Sequence, residues 1–501
     1  MACLTRTTPE SAGISSERME WLLKRLMHRH TRMNGFMAAR EGKVFAECWW
    51  KPYGPDLVHS NHSMGKSYTC TAIGIAEQEG ILCLEEKVTE IFRDEIEKAG
   101  IVPDENMKKI TIRHVLTMTN GMAVHPEMTE DWICDYFRTP VTYLPGTRFL
   151  YNSSGSCLLG AIIYKKTGMG LKEYLTPRLF EKIGIDAERF VWLDFPDKIA
   201  AEPGTFATTE DNLRLGMLYC EYGKWQGEQI LSEKFVKDAL SVQTDTSYAP
   251  EQKDGRCGYG YQLWACSRPG VYRFDGGQGQ FGIIWPDKKL VVSIHEGAMM
   301  PYGPQATLDA VYEGLFDVIR DEALEEDREA YERFTAFAES LTVPDDLPDQ
   351  LPGHEDLTGT YGMISGELDP WMCVAPPGKG DFFKLFRAKE RDLPVREFSL
   401  AEDSDSYVFA FGEHKIRAYR DGKWRPEKIR NVLAGLDDYC ATARFINTYT
   451  LEITVHWLES WTVTRLRFEK LNGHLYTKTM NLRLNEEDNW LFRTGTACRK
   501  E

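Results

Sequence analysis

Apolar residues recur with a helical period through the middle of this chain and with a two-residue period on either side of it. An amphipathic stretch from Ser15 to His28, with serine at its start, predicts an opening helix. Phe36–Arg40 and Val44–Trp50, joined by Glu41-Gly42-Lys43, predict a hairpin with glycine where the turn needs it. From Ser63 to Glu79 the pattern is helical, with Ala72, Ile73, Ile75 and Ala76 inward and Gly80 as the stop. Ile112–Met118, Ser154–Lys166 and Thr209–Tyr222 continue the helical block. Strand character returns at Tyr259–Cys266, Val271–Phe274, Gly282–Trp285 and Leu290–His295, with a Pro286-Asp287 turn before the last. Leu308–Phe334 predicts one or two helices, with the acidic run from Asp321 to Glu329 on a solvated helix face.

Prolines and acids crowd the stretch from Pro344 to Gly353, where neither helix nor strand would persist. This predicts one domain over residues 1–340, a linker at 341–353 and a second domain at 354–501. The second reads as an antiparallel sheet or small barrel, from alternation such as Thr450–Phe468 and turns at Asp421-Gly422 and Asn472-Gly473. Tyr407, Trp424, Trp457 and Trp461 are expected in its core. Helices between strand-rich ends make the first domain α+β.

Composition narrows the function. A content of 42% hydrophobic and 27% charged residues fits a globular enzyme. The net charge of -16 argues against nucleic acid or an anionic membrane as partner, since both require a basic face. No apolar run approaches the ~18 residues of a membrane helix, and the start lacks the pattern of a signal peptide, so a cytoplasmic location is expected. Twelve scattered cysteines without a C-x-x-C pair or suitable histidine spacing predict reduced thiols and no metal.

Ser63-Met64-Gly65-Lys66 sets a hydroxyl and an amine one helical turn apart. A neutral serine is a weak nucleophile, and a partly desolvated lysine can take its proton. Taken alone, the tetrapeptide reads more simply as a helix cap beside a surface charge. Tyr151-Asn152-Ser153, after the turn at Leu144–Thr147, reads alone as a cap with a core tyrosine. Arg273-Phe274-Asp275-Gly276-Gly277-Gln278-Gly279 is a strand running into glycines, where another backbone or a substrate can approach closely. Gly277, Gly279 and Gly282 spell a dinucleotide-like pattern, but a strand follows them where that site needs a helix.

Together these segments resemble the serine β-lactamase and penicillin-recognising superfamily, on its class C-like branch of esterases, amidases and D-amino-acid peptidases. The similarity runs from Pro9-Glu10-Ser11-Ala12-Gly13-Ile14 to about Phe316. It takes in Ile112–Met122 and the block from Pro145-Gly146 to Leu158-Leu159-Gly160. The resemblance implies a β-lactamase-like domain: an antiparallel sheet shared by N- and C-terminal segments and flanked by helices, with an α-rich subdomain. It implies Ser63 as nucleophile, Lys66 and Tyr151 as the proton-handling pair, and the amides of Ser63 and Gly277 as the oxyanion hole. It implies no cofactor and a small amide or ester as partner.

Two positions depart from the pattern. Ser153 stands where the superfamily usually has asparagine. Phe274-Asp275-Gly276 aligns with lysine or histidine, any residue, glycine, so the cation is missing. Ser153, Phe274 and Gly276 are then the expected substrate-binding positions, with Phe274 favouring a neutral or apolar group. The expected function is amide or ester hydrolysis through an acyl-enzyme, without efficient β-lactam turnover. A non-catalytic binding or sensing protein, or a true β-lactamase or D,D-peptidase, are the alternatives.

Overall fold

The computed structural model describes residues 3–27, 32–194, 200–249, 252–298, 303–344, 351, 354–370, 395–429, 437–460, 463–481 and 493–500. Most of the proline-rich linker, and Trp461, lie outside these. Two compact units form: one from residues 3–49 and 60–341, the other from 50–59 and the described residues after 341.

The first unit is built on seven strands: β1 Thr5–Arg6, β2 Met33–Arg40, β3 Lys43–Trp49, β4 Trp264–Ala265, β5 Tyr272–Gly276, β6 Gln280–Trp285 and β7 Leu290–Glu296. Their order is β1-β3-β2-β7-β6-β5-β4, so the two ends of the unit's sequence meet where β2 pairs with β7, Phe36 opposite Ile294. All pairings are antiparallel except β1 with β3.

Helices cover both faces, and adjacent residues of β7 show why. His295 turns to Thr209 and Asn212 of one helix, while Glu296 accepts hydrogen bonds from Thr307 of another. The principal helices are α1 Ser16–Leu26, α2 Gly65–Gln78, α3 Ser153–Thr167, α4 Thr209–Cys220, α5 Gly303–Val311 and α6 Arg328–Ser340. Caps fix their ends: Ser15 accepts from the Arg18 amide, Asn152 from Gly155 and Thr208 from Asp211, and Gly168 closes α3 in the left-handed region.

Two expectations are corrected. The acidic run is no helix face: residues 317–327 are irregular, and Asp327 caps α6 by accepting from the Ala330 amide. Its carboxylates find partners off-helix, as where Asp321 pairs with Lys288, and the run has no apolar stripe to bury. Tyr259–Cys266 gives only the two-residue β4, because Gln262 takes a positive φ that breaks the extended chain.

The second unit is one ten-stranded antiparallel sheet whose edge returns on itself, Tyr419 opposite Thr442, as a barrel-like wall. Phe398, Phe409, Phe445, Leu451, Ile453 and Phe468 fill its interior. Tyr407 and Trp457 belong to that core; Trp424 is half-buried, its indole donating to the Val343 carbonyl.

Candidate active site

Ser63 lies in a single 3-10 turn, His62–Met64, that leads into α2. The turn is entered through His62 at φ 48°, a left-handed conformation costly for a residue with a Cβ, so the surrounding contacts must hold it. One of those contacts is the β5 backbone. A Cβ on Gly276 would fall 2.1 Å from the Asn61 carbonyl oxygen, so only glycine lets the strand pass there. Gly277, next along, faces the His62 ring.

Below the turn is a buried polar cluster. The Asn212 amide donates to Asn61 Oδ1 at 2.7 Å, and His295 Nε2 stands 3.2 Å from the same oxygen. Tyr68 donates to Asn212 Oδ1 at 2.9 Å. Burial alone pushes the His295 imidazole down to about 3, and burial with the nearby Lys66 charge lowers His62 to about 4. Both rings are therefore neutral at pH 7.

Lys66 is 1% exposed, and its Nζ donates to Ser63 Oγ at 2.9 Å. The helical spacing has produced the contact it predicts. The same Nζ sits 5.0 Å from the centre of the Tyr151 ring. That ring is held by stacking on Trp264, with centroids 5.8 Å apart and planes 19° off parallel, and by the edge of Tyr259. Asn152 is the cap of α3, and Ser153 opens the helix half-buried. Beside Tyr151 is a cavity of about 310 Å³.

Phe274 is not at a pocket wall. It is fully buried, its ring edge-on to Tyr219 of α4 at 5.2 Å and pressed against Gly282. The substrate-binding expectation for Phe274 is corrected accordingly: the aligned side chain points under the sheet's helical cover and fills core volume. Gly276 shares that face and contributes close approach to Asn61. The opposite face of β5 carries Arg273 and Asp275. Arg273 is buried, donating to the carbonyls of Asp254 and Ala265 at 3.1 Å each and to Asp275 Oδ2 at 2.6 Å. Burial raises the Asp275 carboxyl above the usual range, while the charges of Arg273 and Lys66 pull it down. Asp275, with its side chain 26% exposed, is thus the β5 side chain that the Lys66 charge reaches.

Sequence reasoning missed Asp275, although strand alternation supplies its signal once Gly276 is placed. It also missed Gln280, whose amide donates to the carbonyls of Gly277, at 3.3 Å, and Glu296 and so ties down the turn after β5. A lone glutamine carries no signal of that. Among the described residues, no group of three or more His, Cys, Asp or Glu side chains could hold a metal ion. No helix of the described residues is long and apolar enough to cross a membrane.

Comparison with known proteins matches the beta-lactamase family over residues 22–297. The 6-aminohexanoate-dimer hydrolase of Paenarthrobacter ureafaciens is 24% identical over 291 residues, 52% of this chain and 73% of that protein. Among solved structures, the octameric penicillin-binding protein homologue of Pyrococcus abyssi is 16% identical, covering 96% of this chain and 99% of its own, with a TM-score of 0.46. A penicillin-binding protein homologue of Caulobacter crescentus is 15% identical, covering 63% and 100%, with a TM-score of 0.46. With more than half of its length matched by one family, the chain belongs to the beta-lactamase family of hydrolase-fold proteins.

Proposed function

We propose that the protein is a serine hydrolase that cleaves an amide or ester through a covalent acyl-enzyme on Ser63. The observation that carries this reading is the 2.9 Å hydrogen bond between a buried Lys66 and Ser63 Oγ, beside the Tyr151 ring. Lys66 in its neutral amine form takes the hydroxyl proton across the same 2.9 Å contact as Oγ attacks the carbonyl carbon. The tetrahedral oxyanion is assigned to the amides of Ser63 and Gly277, and the close approach of Gly276 to the Asn61 carbonyl supports that assignment. Collapse expels the amine or alcohol, which receives a proton through Tyr151. Water then attacks the ester by the reverse route and restores Ser63.

The β5 strand argues against β-lactams. It offers the substrate side no free cation: Phe274 is in the core, Arg273 is committed to Asp275, and Asp275 is acidic. The named activity of the 24%-identical relative, on a 6-aminohexanoate dimer, supports a linear substrate.

Folded protein is expected to be labelled by a fluorophosphonate probe at Ser63, and Ser63→Ala is expected to abolish both the label and the hydrolysis of acyl-nitrophenyl esters. Absence of labelling in folded wild type would indicate a binding role. Efficient nitrocefin turnover that vanishes in Ser63→Ala would overturn the substrate argument.

A further inference from the structure

The cavity beside Tyr151 contains a cation that the proposed mechanism leaves unused. Arg148 lines it together with Tyr143, Phe149, Tyr151 and Tyr248. The guanidinium lies 4.6 Å from the Tyr143 ring centre and 5.9 Å from that of Tyr248. Tyr248 is itself fixed, its hydroxyl oxygen accepting from the Phe149 amide at 2.7 Å. Tyr143 is fixed by its amide, which donates to the Gly121 carbonyl at 2.8 Å. The Phe149 ring packs on Trp264, at 5.5 Å, and Trp264 stacks on Tyr151. One aromatic assembly therefore positions both Arg148 and Tyr151.

Among the described residues, Arg148 makes no ion pair and no hydrogen bond. This sets it apart from Arg273 nearby, whose donors are taken by Asp275 and two backbone carbonyls. Arg148 is exposed at the cavity, and aromatic faces restrain a guanidinium without consuming its N–H donors, which stay available to a ligand that enters. A planar fork of donors matches a carboxylate, which it can bind through two parallel hydrogen bonds.

We propose that Arg148 is the anion anchor of this site, binding a carboxylate on the leaving-group side of the substrate in the cavity it shares with Tyr151. The superfamily's usual cation is missing from β5, where the arginine present, Arg273, is buried and paired with the half-buried Asp275. Carboxylate recognition is thus assigned to the loop before α3 and not to the strand. The leaving-group side follows from Tyr151, the residue assigned to protonate the departing atom. The inference rests on the hydrolase reading and names its substrate class: a linear amide or ester whose leaving group ends in a carboxylate.

The test uses the full chain and matched hexanoyl amides of ω-amino acids with two- to six-carbon leaving groups, each as the free acid and as the carboxamide. In the wild type, kcat/KM for the best acid is expected to exceed that for its carboxamide by about 10-fold or more, the usual scale of a charged hydrogen bond. Arg148→Ala should collapse that ratio to about one, through KM more than kcat, and Arg148→Lys should restore part of it. A wild-type ratio near one, or a ratio unchanged in Arg148→Ala, overturns the inference while leaving the hydrolase reading intact. If no substrate is cleaved, or if cleavage survives Ser63→Ala, the hydrolase reading fails and binding decides. Calorimetric titration should then show hexanoylglycine binding more tightly than hexanoylglycinamide in wild type but not in Arg148→Ala, and equal binding in the wild type would overturn the Arg148 site as well.

Discussion

Gly276 shows how much a single missing carbon can decide. Its hydrogen occupies the space where a Cβ would press to 2.1 Å from the Asn61 carbonyl, and the obstacle is backbone, not a side chain that can swing away. Gly276→Ala must therefore push β5 off the turn that carries Ser63. Loss of one oxyanion donor costs about 10²–10³ in kcat. The same loss is expected for Gly276→Ala, with a smaller effect on KM, measured on an acyl-nitrophenyl ester. Gly42, at the tip of the β2–β3 hairpin, has open space around its missing Cβ but a φ of 79°, so its Ala variant strains the hairpin without touching the site and controls for general destabilisation. Both residues read as strand or turn glycines in the sequence. What makes Gly276 indispensable is a neighbour 215 positions away, and no local pattern reports it.

At the scale of elements, the site depends on a buried polar cluster that ties the turn before α2 to α4 and β7 through Asn61, Asn212 and His295. His295 is held near pKa 3 and His62 near 4, both below the ordinary imidazole value of about 6.5. Folded-state values that are depressed mean the unfolded chain binds protons that the native state refuses. Stability is then complete above about pH 6.5 and is lost as pH falls toward 3. Between pH 7 and pH 5, His295 alone should account for about 2 kcal/mol of lost stability. Urea denaturation at the two pH values should show His295→Asn losing less stability across that interval than the wild type, although it starts lower. An equal loss in both proteins would remove His295 as the acid-sensitive group.

The elements also show which parts of the fold can be read from the chain. The turn that places Lys66 against Ser63 was legible because helical spacing is local, and so were the cap at Ser15 and the stop at Gly80. The acidic run before α6 was misread because charge density alone resembles a solvated helix, whereas its backbone follows the partners of its carboxylates. Phe274 was misread for a different reason. Alignment with a cation suggested a pocket, but the residue opposite it on α4, Tyr219, made that position core. Tyr151 could be connected to the site only through the resemblance, since nothing in its neighbourhood along the chain indicates that Trp264 will stack on it.

The whole molecule contains a detour that composition does not announce. Residues 50–59 leave the first unit and belong to the second, where Lys51 bridges Thr342 and its carbonyl accepts from the Val343 amide at 2.8 Å. Trp50, Tyr53 and Val58 are buried there. A domain boundary placed only at residues 341–353 therefore describes one of three crossings among the described residues. Truncation after Leu341 would leave this apolar segment without the residues it pairs with. The truncated chain is expected to bind a hydrophobic dye and to self-associate on size-exclusion chromatography. A monomeric, dye-silent fragment of unchanged activity would show that the segment is dispensable.

The same detour sets an order for synthesis. Trp50–His59 leaves the ribosome nearly three hundred residues before Thr342, and it lies immediately upstream of the turn that carries Ser63. Closing so long a loop has an entropic cost that the contacts repay only once both ends exist. A nascent chain can complete its first helices early, but Lys51 cannot make its bridge to Thr342 until the second unit has begun to emerge. During that interval an apolar stretch just upstream of Ser63 in the chain is open to chaperones.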